Sequence, residues 1–184
     1  MVCFIGDAVL ETGSFYETLN FISLKKLPLL IVIEDNELST NTNKDSRRSK
    51  NFDISKIADG FGIKFFHNIG DDVVKVTQTT SQALDYVRSN EPAIVEFSTF
   101  RRYEHCGPDI DDNLNYRSSK VIESYSQRDP VTISYNYMVK ELNVDKNLLD
   151  KLIHEIDLYV RTVLNDCIKD TIDYQNKIMI YDKI

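Results

Sequence analysis

Two polar residues stand where chemistry is easiest to build. Asp7 follows a short apolar run, Val2-Cys3-Phe4-Ile5, and a glycine, Gly6. Asn36 follows a second apolar run, residues 27–33, and two acidic residues, Glu34 and Asp35. A carboxylate, an amide oxygen and a backbone carbonyl form an oxygen-only donor set. Such a set suits magnesium, which keeps few protein ligands and fills its shell with phosphate oxygens and water. Asn36 lies 29 positions after Asp7, so the two meet only if the apolar runs are neighbouring parallel strands. Both would then leave the sheet at the carboxyl ends of its strands, where open α/β sheets bind ligands. A helix after Asp7 would aim its amides and positive dipole at the same place, which suits a phosphate. The competing reading is plainer: Asp7 caps the next helix and Asn36 sits in a turn. Spacing alone favours the plainer one.

The elements that would position these residues alternate in kind. Phe15, Leu19 and Ile22 recur at helical spacing in residues 14–26. Residues 28–35 form a continuous apolar strand of the type buried on both faces. Residues 36–51 are polar and aperiodic and read as a long loop. Residues 53–62 read as a capped short helix closed by glycine. Strands are expected over 63–69 and 93–100, with a helix over 71–90 between them. The polar segment 101–130 is too long for an ordinary connector. Residues 147–172 place Leu149, Leu152, Ile153, Ile156, Val160, Val163, Leu164 and Cys167 on one stripe. This alternation predicts an α/β fold with a parallel sheet and flanking helices. The boundaries are one partial domain over 1–184, with the sheet and its loops in 1–130 and C-terminal helices and a tail in 131–184. If the first strand is central, its flanks are thinly supplied. The tail, residues 176–184, mixes apolar and charged residues and suits docking on a partner.

Composition narrows the function. The 184 residues carry a formal charge of −7, with 42% hydrophobic and 28% charged residues. That balance speaks against nucleic acid as the main partner, and the scattered Tyr and Phe make no stacking platform. No apolar run has the length of a membrane span, and the start has no signal-peptide pattern. Three widely spaced cysteines, Cys3, Cys106 and Cys167, fit neither a zinc site nor a disulfide framework, so a reducing cytoplasm is expected. Arg47 and Arg48, in Lys-Asp-Ser-Arg-Arg-Ser-Lys, read as a solvated charge cluster rather than an anion contact. His105, taken alone, reads as an exposed loop histidine.

The sequence also resembles a known family. Gly6-Asp7, followed at a similar distance by Asn36, is similar to the thiamine diphosphate motif, Gly-Asp-Gly followed later by Asn-Asn. The stretch 6–36 resembles the cofactor-binding segment of alpha subunits in the 2-oxo acid dehydrogenase family, pyruvate dehydrogenase type. Glu17, Asn20, Leu27 and Pro28 fall where that family has the same residues. Residues 53–63, the strand and loop 91–118 containing Glu104-His105-Cys106-Gly107-Pro108, and Gln127-Arg128-Asp129-Pro130 resemble its later segments in order. Ala8 stands where the family has glycine, and Asp35 where it has asparagine.

The resemblance implies a thiamine diphosphate-binding fold of the transketolase-like type, truncated at its N-terminus relative to family chains. It implies thiamine diphosphate and Mg2+ as cofactors. Asp7, Asn36 and the Leu38 carbonyl would be the metal ligands. Gly6, Ala8, Val9 and His105 would join them around the cofactor, with His105 the catalytic-site histidine. It further implies a beta subunit as partner in a heterotetramer, a lipoyl-bearing acyltransferase as the next station, and a small 2-oxo acid as substrate. Two other readings stay open: an inactive truncated interaction module, and another thiamine diphosphate enzyme such as a transketolase-like transferase.

Overall fold

The computed structural model describes residues 1–125 and 127–181, with side chains described through residue 172. The chain divides into two units, Met1–Ser134 and Tyr135 onward.

The first unit runs β1 (Val2–Gly6), a 3-10 turn (Asp7–Glu11), α1 (Gly13–Leu24), β2 (Leu30–Asp35), a small hairpin of β3 (Leu38–Ser39) and β4 (Thr42–Asn43), and a 3-10 turn (Lys44–Ser46). There follow α2 (Ile54–Gly60), β5 (Lys64–Ile69), α3 (Val73–Val87), β6 (Ala93–Ser98), a 3-10 turn (Asp112–Leu114) and α4 (Ser119–Tyr125). Helix α5 (Pro130–Lys140) spans the boundary, and α6 (Lys146–Tyr181) belongs to the second unit.

The main sheet has four strands in the order β1-β2-β6-β5, all parallel. The expected α/β architecture is therefore present. Its two central strands, Leu-Ile-Val-Ile-Glu-Asp and Ala-Ile-Val-Glu-Phe-Ser, are apolar on both faces because helices cover both faces. Side chains alternate along each strand. Ile31, Ile33 and Ile94 meet Phe15, Leu19 and Ile22 of α1 and Ile54 and Ala58 of α2. Leu30, Val32, Val95 and Phe97 meet Ala83 and Val87 of α3 on the opposite face. Leu19 is fully buried in the first cluster. Leu19→Ala is expected to cost about 2–5 kcal/mol, read as a lower urea midpoint at an unchanged slope.

Three local signals place the helices. Asp53 caps α2, accepting from the amides of Ser55 (3.0 Å) and Lys56 (3.4 Å). Gly62, at φ +67, provides the left-handed turn into β5. Asp72 caps α3, accepting from Val74 and Lys75. The expected loop 36–51 is more ordered than its polar composition implied, because it holds the β3–β4 hairpin and a 3-10 turn.

The first strand is at the edge of the sheet, not its centre. Among the described residues β1 pairs with β2 alone. Val2 and Phe4 share a face with Leu30 and Val32, yet they are 45% and 67% exposed. Beside them a groove of about 440 Å³ is lined by Val2, Phe4, Leu30, Val32, Leu84 and Phe97, among others.

In the second unit the Tyr135 hydroxyl donates to Asp150 (2.7 Å), joining α5 to α6. The helical stripe expected over 147–172 is present, but Leu152, Ile153, Ile156, Val160, Val163 and Leu164 are all exposed. Side chains of the expected docking tail, 176–184, lie outside the described residues. Among the described residues no helix is long and apolar enough to cross a membrane.

Candidate functional site

The carboxyl ends of β1 and β2 bring the sequence candidates together. Gly6 is in register with Glu34, so Asp7 and Asn36 leave adjacent parallel strands at the same edge. Asp7 opens the 3-10 turn and is 2% exposed. Ala8 and Val9 follow it in that turn. The β3–β4 hairpin packs its first strand, containing Leu38, against the same turn. Gly6, Asp7, Ala8, Val9, Asn36 and Leu38 thus share one edge. The dipole of α1 is not aimed from Asp7, because the 3-10 turn intervenes and the helix begins only after Thr12. Ala8 is not among the positive-φ residues, so a methyl group there imposes no backbone strain.

The acidic and amide side chains at this edge each hold a partner. Asn36 Oδ1 accepts from the Leu38 amide (3.0 Å); a carbonyl oxygen has a second lone pair available for a cation. Asp35, also buried, accepts from the Glu37 amide (2.9 Å) and from Lys44 Nζ (2.7 Å). Burial opposes the charge on Lys44, but Asp35 and Glu37 outweigh it and raise its pKa. Glu37 adopts φ +64, a left-handed conformation at the turn between β2 and the hairpin.

The strongest contacts belong to Arg47 and Arg48. Arg47 Nη2 donates to Asp7 Oδ2 (2.7 Å), and Arg48 Nη2 reaches the same oxygen (3.5 Å) and the Asp7 carbonyl. Both arginines also grip Glu11 Oε1, at 2.5 Å and 2.7 Å. Burial opposes the charge on Glu11, yet the two guanidiniums prevail and hold its carboxyl below the usual range. The side chains of Arg47 and Arg48 are 9% and 5% exposed. The expectation of a solvated cluster is corrected on this point: their side chains are largely withdrawn from solvent because Asp7 and Glu11 match their charge. Their sequence separation from Asp7, 40 and 41 positions, left no local signal.

His105 lies on the segment between β6 and α4 and is exposed, with no hydrogen bond or ion pair among the described residues. The structure does not join it to Asp7 or Asn36. Its segment is nonetheless tethered to the hairpin, where Arg101 Nη1 donates to the Thr40 carbonyl (2.8 Å). Arg101 Nη2 also donates to the Tyr116 hydroxyl (2.8 Å). Arg117, 3% exposed, donates to Asp111, to Asp112 (3.0 Å) and to the Arg101 carbonyl (2.5 Å). Beyond it, Arg128 Nε donates to the buried Asp71 (2.6 Å), and Phe100 stacks on Tyr125 with centroids 4.5 Å apart. The long polar segment is thus pinned by arginines that sequence reasoning left unassigned.

Next to the strand ends lies a cavity of about 490 Å³, lined by Lys44, Arg48, Lys50, Lys56 and Glu96, among others. Burial, and then the Asp35 charge, push the Glu96 pKa up. A carboxyl whose folded pKa exceeds its unfolded value binds its proton more tightly when folded. Stability therefore falls as pH rises from the ordinary glutamate range through the raised value. Glu96→Gln is expected to remove that fall and to raise the denaturation midpoint at pH 8 more than at pH 4, measured by urea titration.

The residues at this edge fit a hard divalent cation in chemistry. A buried carboxylate already holds positive charge on one oxygen, Oδ2, and the neighbouring donors are an amide oxygen and a carbonyl. Fold and geometry together describe a parallel α/β protein with a buried, ion-paired polar cluster at the carboxyl ends of two adjacent strands. The comparisons narrow the class. A profile of the family described as Dehydrogenase E1 component matches residues 1–171, and the chain belongs to that family. It is 31% identical to the "Pyruvate dehydrogenase E1 component subunit alpha" of Rickettsia bellii, over 90% of this chain and 49% of that protein. The protein of the same name from Rickettsia conorii is 31% identical over 98% of this chain and 52% of its own. The chloroplastic alpha-3 subunit of Oryza sativa is 30% identical over 85% of this chain and 36% of its own. Among solved structures, a transketolase from Campylobacter jejuni aligns with 53% of this chain and 15% of its own, at 21% identity and TM-score 0.47. The chain spans about half the length of the Rickettsia relatives.

Proposed function

We propose that this chain supplies the metal and diphosphate side of a thiamine diphosphate-dependent 2-oxo acid dehydrogenase of the pyruvate type. The observation that supports the reading is that Asp7 and Asn36 leave adjacent parallel strands at the same end of the sheet, with cationic charge already drawn to Asp7. Family membership supports it. Asp7, Asn36 and the Leu38 carbonyl would hold Mg2+, and the amides of Ala8 and Val9 would face the diphosphate. His105, on its tethered segment, would contact the diphosphate or the substrate side. The cofactor, when bound, supplies a nucleophilic carbon and an electron sink for loss of carbon dioxide. The chain's own task is to neutralise phosphate charge and fix the diphosphate so that the reacting end is aimed correctly. Asp35 and Lys44 lock the hairpin that presents Leu38. A beta subunit would complete the site, and a lipoyl-bearing acyltransferase would receive the acyl group.

Calorimetric titration of thiamine diphosphate with Mg2+ tests this, using the chain alone and with a beta subunit of the family. Saturable, Mg2+-dependent binding that needs both chains is expected. Absence of binding in every combination would leave the interaction-module reading in its place.

A further inference from the structure

Two guanidiniums on one carboxylate oxygen call for an account that cofactor binding alone does not give. We infer that Arg47 and Arg48 are exchangeable counter-ions of Asp7, displaced onto Glu11 when a divalent cation binds; this rests on the cation site proposed above. Asp7 is 2% exposed, so its charge requires a partner at all times. Arg47 Nη2 and Arg48 Nη2 both approach Oδ2, at 2.7 Å and 3.5 Å. A magnesium ion binds a carboxylate oxygen at about 2.0–2.1 Å. On either oxygen of this carboxylate a divalent cation stands within a few ångströms of both guanidinium charges, and like-charge repulsion drives the guanidiniums off.

Glu11 makes the displacement inexpensive. Its Oε1 accepts from Arg47 Nη1 (2.5 Å) and Arg48 Nε (2.7 Å), nitrogens other than those on Asp7. Each arginine therefore keeps a carboxylate partner when its Nη2 leaves Asp7. Further anchors hold them nearby. Arg47 Nε donates to the Thr42 carbonyl (3.2 Å), and the Arg48 guanidinium lies 4.8 Å from the Phe52 ring centroid. Asp7, Glu11, Arg47 and Arg48 together sum to zero charge. A bare divalent cation leaves this cluster positive, whereas a cation arriving with a diphosphate brings its own compensating negative charge. The cluster therefore selects the cation–diphosphate pair over the cation alone.

Mn2+ titration followed by electron paramagnetic resonance tests the exchange on the full chain, without activity as a readout. The double variant Arg47→Gln, Arg48→Gln is expected to bind Mn2+ alone about tenfold more tightly than the parent chain, by loss of the competitor. Glu11→Gln is expected to bind it more weakly, because the arginines lose their second seat. Nitrogen-15 spectra of the parent chain give a check that needs no variant: the Arg47 and Arg48 Nε–Hε signals are expected to shift as Mg2+ is added. Equal Mn2+ affinity in parent and double variant, with both lost in Asp7→Asn, overturns the exchange and leaves the cation site intact. Static arginine signals during Asp7-dependent binding, or no Mn2+ binding in any form, also overturn it. Unchanged binding of Mg2+ with thiamine diphosphate in Asp7→Asn, measured with the beta subunit present, overturns the site itself.

Discussion

Asp7→Ala is expected to abolish Mg2+-dependent cofactor binding and to cost the fold about 3–5 kcal/mol, the range for removing one partner of a buried ion pair. The second effect follows from what remains. Arg47 and Arg48, 9% and 5% exposed, would share Glu11 as their single carboxylate. Arg48 would also keep its contact with the backbone carbonyl of residue 7. Asp7→Asn keeps the volume and one acceptor oxygen, so it should lose binding with a smaller loss of stability. Urea denaturation and calorimetry separate the two effects. A stable Asp7→Ala protein with unchanged cofactor binding would remove Asp7 from the site.

The second large effect is expected at Arg117. Its side chain is 3% exposed and holds Asp111, Asp112 and the Arg101 carbonyl together. Its Nε is the buried polar side-chain atom without a hydrogen-bond partner among the described residues, so the position already carries a cost. Arg117→Ala should free residues 103–115, the stretch containing His105, and leave the sheet in place. Limited proteolysis within that stretch is expected to accelerate on the order of tenfold or more, as its closed form loses a buried charge pair. The global urea midpoint should move little by comparison. The same network sets a pH response. Burial opposes the charge on Asp111, but the Tyr116 hydrogen bond and the Arg117 charge prevail and lower its pKa. A lowered folded pKa gives stability that is present above the ordinary aspartate range and lost as pH falls through the folded value. Proteolysis of 103–115 should therefore accelerate on acidification below about pH 4.

The two strand ends were legible in the sequence because the signal is local. An apolar run that stops at a polar residue marks a buried strand and its carboxyl end, and Asp7 and Asn36 both sit there. The caps at Asp53 and the turn at Gly62 were legible for the same reason. Arg47 and Arg48 were not, because a loop arginine has the same neighbours in sequence whether it is solvated or paired with a carboxylate 40 positions away. The position of β1 was also hidden. Val-Cys-Phe-Ile is a short apolar run that suits a central or an edge strand equally, and hydrophobicity does not report strand order. His105 was found through family resemblance, and the structure leaves it exposed, so its role rests on the proposed function and not on a contact.

The rim formed by Val2–Gly6 has a practical meaning. Its outward amides and carbonyls carry no strand partner among the described residues, and bulky apolar groups stand beside them. Such a ladder is a template on which further copies can stack, and fibrous growth starts from templates of this kind. A lysine in place of Phe4 is therefore expected to act as a gatekeeper and to lessen precipitation of the purified chain, read by light scattering.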